Sequence, residues 1–357
     1  MADEIEPTVD LNNNDIEIEG FAHEKVRNIS DSELWRFLRL LLPGMDKPVI
    51  DVEPYVKARN AHMFKGKMLQ SRKGHKKRDV LVKVHKHDYD PAKETHCPEK
   101  AERFRDEFKI QQGLSGKCDK VVKIYSFGNL GKGYYFDIYE PLKKKIKQKD
   151  ADLLYTVSEF IEGFTLKHIL RNDETRKSCR LINRVKWAED IVEALKTVHD
   201  EGYVHRDIKP DNIVISKQDN MAKLTDFGIA RKQGCNKYDE KHTIWGNPFY
   251  TPPERIMGET ETDARSDIYS LGVVLYELIT GNHPLSDGEK DFKRIIDQSL
   301  KSRINPIRNR NRFVQGLCDI TEKCLEKDPS KRYQSLGNLK VDLDDYIVNL
   351  RNITNYY

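Results

Sequence analysis

The hydrophobic period of this chain changes once, near residue 162, and that change limits the folds open to it. From 51 to about 162 the apolar residues come in short runs: VLVKV (80–84), VVKIYSF (121–127), GYYFDIY (133–139) and LLYTVSEFI (153–161). Short apolar runs bounded by polar turns suit strands. One stretch among them, EKAERFRDEFKIQQGL (99–114), reads as a helix. After 163 apolar residues recur every three or four positions. In LINRVKWAEDIVEALKTVHDEGY, Ile182, Val185, Ala188, Val192, Leu195 and Val198 share a face, and Gly202 ends the run. SDIYSLGVVLYELITG (266–281) is apolar on nearly all sides and predicts a central buried helix, with further helices over 288–350. A strand-rich front and a helical back predict an α+β chain of two unequal lobes with a cleft between them.

The rest of the chain adds less. Asp3, Glu4, Glu6, Asp10, Asp15, Glu17 and Glu19 make residues 1–29 an acidic tail, expected to be disordered. SDSELWRFLRLLLPG (30–44) opens on a capping box, Ser30 with Glu33, and stops at Pro43-Gly44. This predicts a helical extension over 30–50. The six cysteines lack CxxC spacing and the N-terminus lacks a secretory signal, so the expected location is cytoplasmic, with reduced thiols. No apolar stretch reaches the length of a membrane span. The net charge of +4 does not argue for nucleic acid, and the Lys/Arg-rich stretches 65–78 and 143–149 read as solvated loops.

Chemistry concentrates in YVHRDIKPDNIVI (203–215), where apolar residues flank His205, Arg206, Asp207, Lys209 and Asp211. A purely structural loop seldom gathers so many charges beside buried strands, because each needs a partner. A catalytic loop gains from them: a carboxylate to orient a hydroxyl, a lysine for a transferring phosphate, an asparagine for a metal. Shortly after it, KLTDFGIA (223–230) brings in a second carboxylate, Asp226.

VLVK (80–83), HRDIKPDN (205–212), DFG (226–228) and PPE (252–254), in this order and spacing and with Asp267 and Arg332, resemble the eukaryotic-type (Hanks-type) protein serine/threonine kinase family. The resemblance covers 51–350 and implies the two-lobed protein kinase fold, a small β-rich N-lobe (51–161) and a larger α-helical C-lobe (162–350), with 351–357 as a C-terminal tail. It implies ATP and Mg²⁺ as cofactors and proteins with Ser/Thr acceptors as substrates. Lys83 would hold the α/β-phosphates and pair with Glu107, with Glu102 as the alternative partner. Asp207 would orient or deprotonate the acceptor hydroxyl, Lys209 would steady the γ-phosphate, and Asn212 and Asp226 would hold the metal. Lysine two places after Asp207 is the serine/threonine-type choice. EFIEG (159–163) would be the hinge, the backbone of Glu159 and Ile161 bonding the adenine, with Ser158 at the back of the pocket. Asp267 and the Glu254–Arg332 pair would brace the catalytic loop and the helical lobe. Arg206 would receive a phosphate on the activation segment 229–245, where Thr243 is the expected acceptor.

Three departures bear on nucleotide grip. PYVKARNAHMFKGK (54–67) stands where the family has its glycine-rich loop, with Val56, Ala58 and Ala61 at the usual glycine sites. Leu81 takes the place of an alanine under the adenine. Asn247 replaces a threonine, and its amide is expected to reach Asp207 or Lys209. The polar catalytic positions are all present, so the expected activity is phosphotransfer, with autophosphorylation. The alternative is a pseudokinase scaffold that binds nucleotide weakly or not at all.

Overall fold

A computed structural model of the chain describes residues 48–57, 61–69, 76–85, 98–129, 154–234, 247–257, 263–285, 299–300, 304–307 and 311–354. The acidic tail, the helix expected over SDSELWRFLRLLLPG, the GYYFDIY run, the lysine-rich 143–149 stretch, Ala58 and Thr243 lie outside the described residues. Val49 and Ile50, assigned above to the extension, already belong to the first strand.

The chain divides into two units, one of residues 1–112 with 123–160, the other of 113–122 with 161–357. In the first, strands β1 (Val49–Lys57), β2 (Ala61–Leu69), β3 (Lys77–His85), β4 (Ile124–Asn129) and β5 (Leu154–Glu159) form an antiparallel sheet in the order β1-β2-β3-β5-β4. Alternation along β3 sends Val80, Val82 and Val84 to one face, where all three are fully buried, with Phe64 and Val157 beside Val82. Each such side chain contributes about 1.5–3 kcal/mol by leaving water, so a one-residue slip of β3 would be severely unfavourable. That register is what gives Leu81 and Lys83 the opposite face. Helix α1 (Pro98–Ser115) follows β3, and its Phe108 packs on Phe127 of β4 at 4.3 Å between ring centroids.

The VVKIYSF run does not form one strand. β4 starts at Ile124, whereas Val122 donates to the Leu224 carbonyl at 2.9 Å and Leu224 to that of Lys120 at 2.7 Å, which ties 120–122 into the second unit. Periodicity cannot separate two short apolar pieces that abut in sequence but pair with different partners.

The second unit holds helices α2 (Leu166–Arg171), α3 (Asp173–Ser178), α4 (Leu181–Asp200), α5 (Pro253–Ile256), α6 (Ala264–Thr280), α7 (Gln315–Cys324) and α8 (Leu336–Thr354). It also holds a three-stranded sheet, β6 (Gly163–Thr165), β8 (Ile213–Ser216) and β9 (Ala222–Leu224), and the pair β7 (Tyr203–Val204) with β10 (Arg231–Lys232). Helix α4 buries Val185, Ala188, Ile191, Val192, Leu195 and Val198 and ends at Gly202, whose φ of +76° suits glycine. Ile182, counted above with that face, is instead 45% exposed. Helix α6 is buried on almost every side, as its composition predicts. Its Gly272 permits the approach of α7: a Cβ there would stand 2.7 Å from that of Cys324.

Candidate active site

Strand β7 delivers the chain to His205 and β8 leads it away from Ile213, so residues 205–212 form a loop fixed at both ends by strands. Three of the expected site residues meet inside it. Lys209 Nζ donates to Asp207 Oδ2, and Asn212 Nδ2 donates to the same oxygen at 2.9 Å and to the Asp207 carbonyl at 2.8 Å. Oδ1 of Asp207 takes no part in these bonds. The Asn212 amide nitrogen is thereby committed, which leaves its oxygen as the group it can offer a ligand.

Asp226 follows β9, and the Thr225 N–H donates to the Asn212 carbonyl at 3.0 Å, so the segments carrying Asn212 and Asp226 are stitched together. Phe227 is fully buried with its ring 4.6 Å from that of His205. His205 is itself fully buried, and its Nδ1 accepts from the Asp207 N–H at 3.3 Å. Burial pushes its pKa below the usual imidazole range despite the nearby charges of Asp267, Asp207 and Asp226.

Arg206 (φ +69°) and Asp226 (φ +65°) both hold the left-handed backbone conformation. Each such residue costs about 1–3 kcal/mol and persists only where its surroundings dictate it. At Arg206 the main restraint is Asp267, in the first turn of α6. This carboxylate is fully buried; it accepts from the His205 N–H (2.7 Å), the Arg206 N–H (2.7 Å) and His199 Nε2 (2.9 Å). Burial alone would raise its pKa, but the His199 and backbone donors outweigh it and hold the group below the usual carboxylate range. Helix capping of α6 falls to Asp263, whose side chain accepts from the Arg265 N–H at 2.8 Å. Glu254 and Arg332 form the expected pair as a bidentate bridge, both bonds 2.8 Å long.

Asn247 does not reach the catalytic loop. Its Oδ1 accepts from the Phe249 N–H at 3.2 Å, a local turn of the kind asparagine favours. Bonds within two residues cost little chain entropy, and here the local option wins.

The remaining expected residues belong to the first unit, apart from Ile161. Val56 and Ala61 sit in strands rather than in the turn between them, since Val56 pairs with Met63 and the ladder extends to Lys57 and His62. On β3, Lys83 lies between Met63 and Thr156, and Leu81 between Lys65 and Ser158. Glu107 on α1 is buried, at 8% exposed. Glu159 is held to Lys123 through its N–H (2.8 Å to the carbonyl) and its Oε1 (2.8 Å from the N–H). Ile161, in the second unit, makes no backbone bond among the described residues.

Several neighbours of the site carry no sequence signal. Met63 and Lys65 share the Leu81/Lys83 face only through the β2–β3 register, and Lys65 lies over the Phe160 ring at 4.4 Å. His199 meets Asp267 across a separation of 68 residues. Lys167 of α2 bonds Asp211, and Tyr250 donates to both oxygens of Glu277 at 3.1 Å.

Residues 65–341 match the family model described as a protein kinase domain. The chain belongs to the protein kinase family. Within that family its relatives are of the serine/threonine type. It is 35% identical over 268 residues to the serine/threonine-protein kinase PknB of Mycobacterium tuberculosis, covering 74% of this chain and 38% of that protein. Against the serine/threonine-protein kinase PrkC of Bacillus subtilis the identity is 32% over 267 residues, or 74% and 36%. A probable serine/threonine-protein kinase of Clostridium perfringens, CPE1738, is 33% identical over 193 residues, 54% of this chain and 27% of that protein. The chain thus spans about a third of the length of these relatives. The fold is the two-lobed α+β kinase fold: the first unit carries the sheet and the second most of the helices.

Proposed function

We propose that this chain is an ATP- and Mg²⁺-dependent protein serine/threonine kinase whose catalytic domain runs over 49–354, since the first strand starts at Val49 and the last helix carries four residues of the expected 351–357 tail. The observation that carries the reading is the convergence of Lys209 and Asn212 on one oxygen of Asp207. That arrangement fixes the carboxylate and keeps the other oxygen for the acceptor hydroxyl. Asp207 orients that hydroxyl and takes its proton as the hydroxyl oxygen bonds the γ-phosphorus and the bond from that phosphorus to the departing ADP breaks. Lys209, beside it, balances charge on the transferring phosphoryl group. On the first unit Lys83 grips the α/β-phosphates with Glu107 as its partner, and Val56, Ala58 and Leu81 cover the nucleotide. The Glu159 carbonyl and the Ile161 N–H bond the adenine.

The donor set also suits magnesium. The Asn212 amide oxygen and the Asp226 carboxylate are hard oxygen ligands, and Mg²⁺ takes few protein ligands because phosphates and water complete its shell. When bound, the ion neutralises charge on the phosphates.

Arg206 is the proposed receiver of a phosphate on Thr243. Arg231 supports it, since β10 pairs Arg231 with Val204, two residues before Arg206. Among the described residues no helix is long and apolar enough to cross a membrane. No observation favours the pseudokinase alternative.

Incubation with labelled ATP, Mg²⁺ and a generic protein substrate tests the reading. Asp207→Asn, Asp226→Asn and Lys83→Met should each lose ~10²-fold or more in rate while staying folded. Near-full activity in all three would sink it.

A further inference from the structure

Helix α5, which directly follows the Asn247–Pro252 stretch, carries a buried arginine that neither the family signature nor the roles above explain. Arg255 is 9% exposed, and its Nη1 donates to the carbonyl oxygen of Arg206 at 3.1 Å. Arg206 is the left-handed residue immediately before Asp207. Its N–H is already held by Asp267 Oδ1 at 2.7 Å. The strained residue is therefore gripped from both sides: a buried carboxylate holds its N–H and a buried guanidinium holds its carbonyl.

These two restraints act on different peptide planes. Asp267 fixes the plane between His205 and Arg206. Arg255 fixes the plane between Arg206 and Asp207, which is the one that sets the direction of the Asp207 Cα–Cβ bond. A planar peptide allows rotation only about φ and ψ, so releasing the second plane lets Arg206 relax towards ordinary backbone conformations and re-aims Asp207. The anchor of Arg255 is itself stiff, because the preceding residue, Glu254, is clamped by Arg332 through two bonds of 2.8 Å.

We propose that Arg255 is a positioning residue that sets the orientation of Asp207 through the Arg206 carbonyl, and so links the order of the segment ending in α5 to the catalytic loop. This rests on the kinase reading above. It adds a residue to that site and a route by which α5 reaches the reaction. Arg255 touches no substrate in this scheme.

The test compares wild type, Arg255→Met and Arg255→Lys in steady-state kinetics, together with peptide-level hydrogen exchange over residues 203–212. Met retains much of the apolar stem but donates nothing; Lys can still reach a carbonyl. The expected result for Arg255→Met is a fall in kcat of roughly ten- to a hundredfold, the scale of small misplacements of reacting groups. KM for ATP should stay within about twofold, since nucleotide grip is untouched. Faster exchange over 203–212 should accompany that fall, and Arg255→Lys should recover part of both. Wild-type kcat in Arg255→Met overturns the proposal, as does a loss of kcat with unchanged exchange over 203–212. So does a loss shared by KM and by exchange throughout the second unit, the pattern of general unfolding. If the wild type transfers no phosphate, the kinase reading fails separately. The exchange measurement then still judges Arg255, because unaltered protection in Arg255→Met refutes its grip on the loop.

Discussion

Arg332→Met should destabilise the second unit by an amount that the bonding of this one side chain sets. Arg332 is 2% exposed and all its donors are engaged. Nε bonds the Glu326 carbonyl (2.6 Å), Nη1 bonds Glu254 Oε1 (2.8 Å) and the Arg265 carbonyl (3.0 Å), and Nη2 bonds Glu254 Oε2 (2.8 Å) and the Lys327 carbonyl (3.0 Å). Methionine would leave the Glu254 carboxylate, itself 5% exposed, with only the Ser266 hydroxyl donor at 3.1 Å among these groups, and would take one donor away from each of three carbonyls. Breaking a buried pair from one side costs about 3–5 kcal/mol, chiefly for the charge left behind. Domains of this kind hold about 5–15 kcal/mol in total, so the variant should be folded only marginally. Urea unfolding followed by fluorescence, with Trp187 buried in α4, measures the loss. A second variant, Arg332→Met with Glu254→Leu, separates charge from packing. If the stranded carboxylate is the main cost, the double variant is more stable than Arg332→Met alone. A loss below about 1 kcal/mol for Arg332→Met, or strictly additive single effects, would refute the reasoning.

Two buried groups should make stability depend on pH with opposite signs. Burial pushes His283 down to about 4, against the bond from its ring to the Phe249 carbonyl; stability from keeping it neutral is full above 6.5 and falls as pH drops towards 4. Burial, then the charge of Asp211, pushes Glu277 up to about 7 against the Tyr250 hydrogen bond; its contribution is full below 4.5 and is lost as pH rises through 7. Relative to wild type, denaturation curves of His283→Gln should lose acid sensitivity and those of Glu277→Gln should lose alkaline sensitivity; parallel profiles would refute both. Leu81→Ala should tighten ATP binding measured by titration, because Leu81 shares its sheet face with Lys83 and Ser158; weaker binding would show that Leu81 supports the base. Thr243→Ala should lower activity if a phosphate of about −2 charge docks on Arg206, and undiminished activity would count against that route.

Features that depend on local order are legible in the chain alone. Short apolar runs predicted β3 and β5, three-to-four-residue recurrence predicted α4, and near-continuous apolarity predicted α6, because these rules act between residues a few positions apart. The charged set of 205–212 was equally legible, since so many ionisable groups between buried runs demand a purpose. Tertiary structure decided the rest, because pairing energy depends on which distant segment arrives. Val121 and Val122 left the strand that begins at Ile124 for a partner about a hundred residues away, Leu224. Asn247 chose its own turn over the catalytic loop. Met63 and Lys65 joined the Lys83 face through a register that no single strand encodes. His199, Asp267 and Arg255 come from three helices, and their hold on one strained loop arises only when those helices pack, because a buried polar group takes whichever partner the packed core brings within reach.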